Sequence, residues 1–143
     1  MRWSWIAVGA VTTSAGAALL ARWALFVVRI DGVSMEPAFR SGDAVLALRA
    51  SVGAAVKRGD VVVCRLPVEL QGPTGFLVKR VTATAGTRVD GSEVVPDGQI
   101  FVQGDGVRSY DSRAFGPLPL AAVRGRVIAR LSLPVRLAAS IEE

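Results

Sequence analysis

The sequence predicts a small, mainly β domain behind one N-terminal transmembrane helix, and three observations lead there. From Trp3 to Ala21 the chain carries no charge and is rich in Ala, Val, Ile and Leu. Beyond that segment, β-branched runs are separated at short intervals by Gly, Pro and Asp, the punctuation of strands and tight turns. The 143 residues are 51% hydrophobic and 20% charged, with mean hydropathy +0.43, too apolar for an ordinary soluble domain or a disordered chain. Such a length fits one domain and leaves no room for a second globular unit once the apolar segment is set aside.

About 20 apolar residues cross a bilayer core, so the N-terminal segment suffices for one span. Trp3 and Trp5 mark one interface, and Trp23 with the long side chain of Arg22 marks the other. A cleavable signal peptide is the competing reading, since Met1-Arg2 is a short basic start and Ala15-Gly16-Ala17 offers the small residues of a cleavage site. The apolar stretch runs on through that site to Val28, which favours a retained anchor over residues 1–28 and a folded domain over residues 29–143. Arg2 lies on one side of the span and Arg22 and Arg29 on the other, so charge does not orient it.

In the body, strands are expected from Val27 to Ile30, Ala44 to Leu48, Val61 to Leu66, Phe76 to Ala83, Thr87 to Val89, Glu93 to Val95, Gln99 to Gln103, and Val123 to Leu131. Asp90-Gly91 signals a hairpin. Pro67 and Pro73 bracket one loop, Pro117 and Pro119 confine another, and Pro134 limits the last strand. Gly-Asp recurs at Gly42-Asp43, Gly59-Asp60 and Gly104-Asp105, and the first two pairs read as turn chemistry beside a strand.

Composition also excludes chemistry. With no histidine in the chain, Ser-His-Asp and Cys-His hydrolysis and HExxH zinc sites are ruled out, and acid-base work falls to Asp, Glu, Lys or Tyr. No cofactor or metal is expected. The single Cys64 lies in the apolar run Val61-Val62-Val63-Cys64, where it reads as a small buried hydrophobe. The formal charge of +5 favours anionic partners. Lacking basic runs interleaved with aromatics, the chain suits a lipid surface and not a nucleic acid.

Of 17 basic residues only Lys57 and Lys79 are lysines. Lys79 sits in Phe76-Leu77-Val78-Lys79-Arg80-Val81, where alternation puts Arg80 and Lys79 on opposite faces. If Arg80 faces water, Lys79 points inward, and burial can strip its proton, which no arginine would release. The plainer reading is an amphipathic strand with a lysine reaching to solvent. Ser34, in Asp31-Gly32-Val33-Ser34-Met35-Glu36-Pro37, reads either as part of an ordinary turn or as a hydroxyl held at a fixed exposed point. Without histidine, a desolvated lysine is the remaining standard base for a serine nucleophile, so Ser34 and Lys79 explain each other. The polar stretch from Gly104 to Pro117 is either a solvated loop or a brace, in which Asp111 pairs with Arg113 and Ser109 orients the lysine amine.

Together these segments resemble the successive boxes of the type I signal peptidases, the S26 family of serine proteases with a Ser-Lys dyad. The boxes are Gly32-x-Ser34-Met35-x-Pro37, Arg58-Gly59-Asp60-Val61-Val62, Val78-Lys79-Arg80-Val81 with Gly86, and Gly104-Asp105 leading to Ser109-x-Asp111-Ser112-Arg113-x-Phe115-Gly116-Pro117. The match runs in order over residues 27 to 131, and four boxes together are specific where one alone is weak. The resemblance implies a compact β-barrel-like catalytic core on a membrane anchor. By position, Ser34 is similar to the nucleophile, Lys79 to the base, Ser109 to the serine that places the lysine, and Asp111 with Arg113 to the supporting ion pair. Met35 matches a methionine at the substrate surface, and Gly32 stands where some members add a hydroxyl to the oxyanion site. Gly106 stands where an asparagine is common. Only 24 residues separate Lys79 from Gly104, too few for the extra β domain of larger relatives, so a minimal single-anchor form is implied.

The resemblance thus implies a membrane-bound endopeptidase that removes signal peptides from exported proteins, cutting after small residues of the Ala-x-Ala type. Its partners would be precursor proteins and membrane lipid. The protein is expected as a monomer in the cell membrane, single-pass, with an extracytoplasmic catalytic domain. A dedicated maturation protease for one leader or propeptide is the alternative within the same chemistry. An anchored β-module that binds exported chains without cutting them is the alternative of another class.

Overall fold

A computed structural model describes residues 15–52, 55–66 and 75–131. Residues 15–24 are helical (α1), and Leu19, Leu20 and Trp23 on it are exposed at 60%, 71% and 73%. Ten helical residues span about 15 Å, half of a hydrocarbon core. Among the described residues no helix is long and apolar enough to cross a membrane. The first part of the expected anchor, residues 1–14, lies outside them, as do the loop between Pro67 and Pro73 and the stretch holding Pro134.

The strands are β1 (Leu25–Arg29), β2 (Ala44–Arg49), β3 (Val61–Arg65), β4 (Phe76–Thr84), β5 (Arg88–Val89), β6 (Glu93–Val94), β7 (Gln99–Gln103), β8 (Leu118–Pro119) and β9 (Val123–Leu131). A four-residue helix, α2, spans Ser112–Phe115. Seven strands form one antiparallel sheet in the order β1-β2-β9-β3-β4-β7-β8, and β5 with β6 forms a separate hairpin around Asp90-Gly91. The expected mainly β class is therefore observed. Three register shifts, at Leu46/Ala47, Val63/Cys64 and Val81/Ala83, bend the sheet, since each extra residue strengthens the local twist.

One boundary needs correction. Hydropathy places residues 25–28 in the anchor and the strand pattern begins at Val27, whereas pairing with β2 from Leu25↔Leu48 onward puts all four in the sheet. A β-branched, aromatic run such as Leu25-Phe26-Val27-Val28 satisfies a strand as well as a span, and the partner strand decides between them. Two short elements were not anticipated. Leu118-Pro119 forms β8 at the sheet edge, where proline's missing donor is tolerated, and α2 lies in what read as polar loop.

The core follows the alternation. Val62, Cys64, Leu66, Val81, Ile100, Val102, Leu118 and Val123 are buried together, and Ala83, Val95 and Phe101 form a second cluster joined by Val89 of the hairpin. Burial pushes the Cys64 thiol up to about 12, so Cys64 is the inert small hydrophobe expected.

Candidate functional site

Strand β4 positions the first functional group. Its burial alternates from Lys79 onward, with Lys79, Val81 and Ala83 inward and Arg80 on the other face. Lys79 is only 2% exposed, opposite Val62 of β3. Nζ of Lys79 donates to Ser109 Oγ at 2.9 Å. Burial lowers the lysine pKa; the Asp111 carboxylate opposes that shift and the Arg113 guanidinium reinforces it.

The loop after β7 supplies the rest. Asp111 is fully buried and caps α2, accepting from the Arg113 N–H at 3.1 Å. Its carboxylate also accepts from Arg113 Nε at 2.9 Å, from an Arg113 terminal nitrogen at 2.7 Å and from the Gly104 N–H at 2.9 Å. Burial alone would raise the Asp111 pKa, but hydrogen bonds from Arg113, Gly104 and Ser109 outweigh it and hold the carboxyl well below the usual range. A continuous polar chain thus runs Lys79–Ser109–Asp111–Arg113. Ser112 was not singled out, yet its Oγ is buried and accepts from the Val102 N–H at 3.0 Å, fastening the loop to β7.

Two glycines bring Ser34 to this chain. Gly104 sits between Ser109 and Ser34, so a Cβ there would collide with the Ser109 side chain and the Ser34 carbonyl oxygen. The Gly106 N–H donates to that carbonyl at 2.9 Å, and a Cβ at 106 would collide with the Val33 carbonyl. The approach of the Ser34 backbone explains glycine at 106, where the resemblance leads to asparagine. From the outer face of β4, Arg80 grips both Asp105 carboxylate oxygens at 2.8 and 2.7 Å and the Gly59 carbonyl at 2.9 Å, holding the loop from behind.

Ser34 is half-buried in a series of turns closed by the bonds Glu36 N–H to Val33 at 3.2 Å and Phe39 N–H to Met35 at 2.9 Å. Its own N–H has no hydrogen-bond partner among the described residues. Gly32 has φ +90, and its N–H donates to Ser41 Oγ at 3.3 Å. Ser34 and Met35 line a cleft of about 370 Å³ together with β1 and residues Phe76, Leu77 and Val78. Met35, expected at the substrate surface, lines the cleft with only 1% of its own area exposed.

The structure therefore holds a buried lysine with a lowered pKa on Ser109, and beside the same loop a serine whose backbone N–H has no partner among the described residues and which lines an apolar cleft. Comparison with known proteins agrees in kind. The family model described as "Signal peptidase, peptidase S26" matches residues 2–94 and 88–132. The mitochondrial inner membrane protease subunit 1 of Homo sapiens is 31% identical over 116 residues, which cover 73% of this chain and 68% of the relative. The mitochondrial ATP-independent inner membrane protease subunit 1b of Arabidopsis thaliana is 38% identical over 120 residues, covering 74% and 69%. The mitochondrial inner membrane protease subunit 2 of Danio rerio is 36% identical over 114 residues, covering 71% and 61%. A fold, a site and a family match that agree over most of the sequence lead to one conclusion: this chain belongs to the S26 signal peptidase family and is a protease of the signal-peptidase type.

Proposed function

We propose that the protein is a membrane-bound serine endopeptidase that removes signal peptides from exported proteins, with Ser34 as nucleophile and Lys79 as general base. The observation that carries this reading is the buried Lys79 amine, hydrogen-bonded to Ser109 and with its pKa lowered by burial. A neutral amine takes the Ser34 hydroxyl proton as Oγ attacks the scissile carbonyl. The free Ser34 N–H stabilises the resulting oxyanion, and the open space at Gly32 leaves room beside it for water as a second donor. Lys79 then protonates the departing amine and deprotonates the water that releases the acyl group. Ser109 keeps the lysine aimed, while Asp111 and Arg113 keep Ser109 in place.

An apolar cleft flanked by half-buried aliphatic side chains suits an extended peptide with small residues before the cut, the Ala-x-Ala pattern. The exposed apolar side chains of α1, leading directly into β1, support a site close to the bilayer, on the extracytoplasmic side in this reading. A dedicated maturation protease is the second reading. The relatives' names as protease subunits favour an assembly over a monomer.

The test is incubation of the full chain in detergent with a panel of unrelated precursor proteins, alongside Ser34→Ala, with N-terminal sequencing of products. Cleavage after small residues by the unaltered protein alone is the expected result. Equal cleavage at the same bond by Ser34→Ala overturns the assignment, and cutting of a single precursor in the panel selects the dedicated reading.

A further inference from the structure

Apart from Ser34 itself, the cleft is apolar except at two positions. Among its lining residues only Arg29 and Asp31 carry charge. Neither side chain has an ion-pair or hydrogen-bond partner among the described residues, whereas Arg80, Arg113, Arg126 and Arg130 each face a carboxylate. Arg29 ends β1, which among the described residues pairs with β2 on one side only, so its other side presents backbone groups along the cleft. Along β1, Val27 and Arg29 are exposed while Phe26 and Val28 are half-buried. A peptide laid on that edge alternates in the same way, one side chain inward and the next outward beside Val27 or Arg29.

We propose that Arg29 selects substrates carrying an acidic side chain at the outward-facing position opposite it, an inference that rests on reading the cleft as the peptide site of a Ser34 protease. A guanidinium on an exposed strand end with no carboxylate partner among the described residues has none of these to exchange for the substrate's, so the incoming acid meets an open partner. Asp31 lies two residues nearer Ser34 and repels an acid placed closer to the cut. The preference is therefore confined to one position and is distinct from the general attraction of a +5 chain for anions.

The experiment uses the full chain in detergent and one cleavable precursor peptide. Single Asp, Asn or Lys replacements are scanned over about four residues on each side of the cut, the reach of a strand the length of β1. kcat/KM is measured for the unaltered protein, Arg29→Gln, Arg29→Glu and Ser34→Ala. At one position Asp is expected to exceed Lys by roughly three- to tenfold, the scale of an exposed ion pair replaced by a repulsion. Arg29→Gln flattens that preference and Arg29→Glu reverses it. An identical positional profile in all three Arg29 forms, with Ser34→Ala inactive, overturns the role of Arg29 and leaves the protease reading standing. Undiminished cleavage by Ser34→Ala overturns both.

Discussion

At Gly42-Asp43 and Gly59-Asp60 a Gly-Asp pair closes a turn, while at Gly104-Asp105 the same pair holds the site together. In both turns the glycine has positive φ, 91° and 94°, and open space around the position of a Cβ. The following aspartate accepts from the backbone N–H of Arg40 or Lys57, each at 2.8 Å. Gly104 has no positive φ, and what it needs is room, with Ser109 and the Ser34 carbonyl on either side. Asp105 turns outward to Arg80 instead of back to its own turn. One dipeptide thus answers to backbone conformation in two places and to close approach in a third. The two lysines divide likewise, Lys57 opening a turn and Lys79 buried in the site.

The lysines give the largest expected difference. Lys79→Arg keeps the charge but puts a group that does not deprotonate where a neutral amine is needed, so kcat/KM should fall by roughly 10²–10⁴-fold. Lys57→Arg should leave it unchanged, because the Lys57 contact to Asp60 is made by the backbone. In the unaltered protein the lowered Lys79 pKa makes the neutral fraction, and kcat/KM, rise with pH through a value below the ordinary lysine one. Across the window between that value and the ordinary one, the unfolded chain holds a proton that the folded chain lacks, so stability also rises with pH there. A flat pH-rate profile in that window, or near-normal turnover by Lys79→Arg, refutes the base assignment.

Much of this contrast was legible in the sequence wherever a period or a rarity carried it. The alternation around Lys79 and the scarcity of lysine marked an inward amine before any coordinates, and the β-branched runs placed the longer strands to within two residues at each end. Asp111 and Arg113 were readable as a pair because they lie two residues apart, the reach of a capping side chain at the start of α2. The convergence of Ser34 and Ser109 on Gly104 is not readable from spacing, since bringing together residues 75 apart depends on how β4 and β7 carry their loops. The missing histidine and the rare Lys79 suggest it through chemistry, and the resemblance adds the order of the boxes. Gly104 reads as part of a polar loop and Gly106 as a departure from the family pattern, because close approach of a distant backbone leaves no local signal. Leu118-Pro119 was lost as a strand for the opposite reason, its local signal being two prolines that argue for loop.

The glycines supply the intermediate effect. Gly104→Ala drives a methyl group into the Ser34 carbonyl and Ser109, so backbone must shift. We expect roughly 1–3 kcal/mol of lost stability from overpacking and about 10²-fold lower kcat/KM from displaced reacting groups. Gly42→Ala meets no neighbour and carries only the cost of positive φ, about 1–2 kcal/mol, with kcat/KM retained under conditions where both variants are folded. Thermal unfolding and turnover measured together separate the two. If both glycines lose stability and activity in the same proportion, the distinction between conformation and room fails.

The aspartates should differ least, and the difference should appear in activity more than in stability. Asp105→Asn weakens a two-pronged contact to Arg80, whose side chain is about a third exposed, and Asp43→Asn weakens both a turn and its contact to Arg130 at 2.9 Å. Each exposed pair contributes at most about 1 kcal/mol, so unfolding midpoints should move by similar small amounts. Only Asp105 belongs to the loop whose Gly104 and Gly106 flank Ser34, so only Asp105→Asn should slow turnover, by a few-fold through looser positioning. Because the Arg80 contact is ionic, high salt should narrow the gap between the unaltered protein and Asp105→Asn while leaving Asp43→Asn level with the unaltered protein. A salt series of kcat/KM in which Asp43→Asn and Asp105→Asn run together would show that the grip of Arg80 does not reach the site.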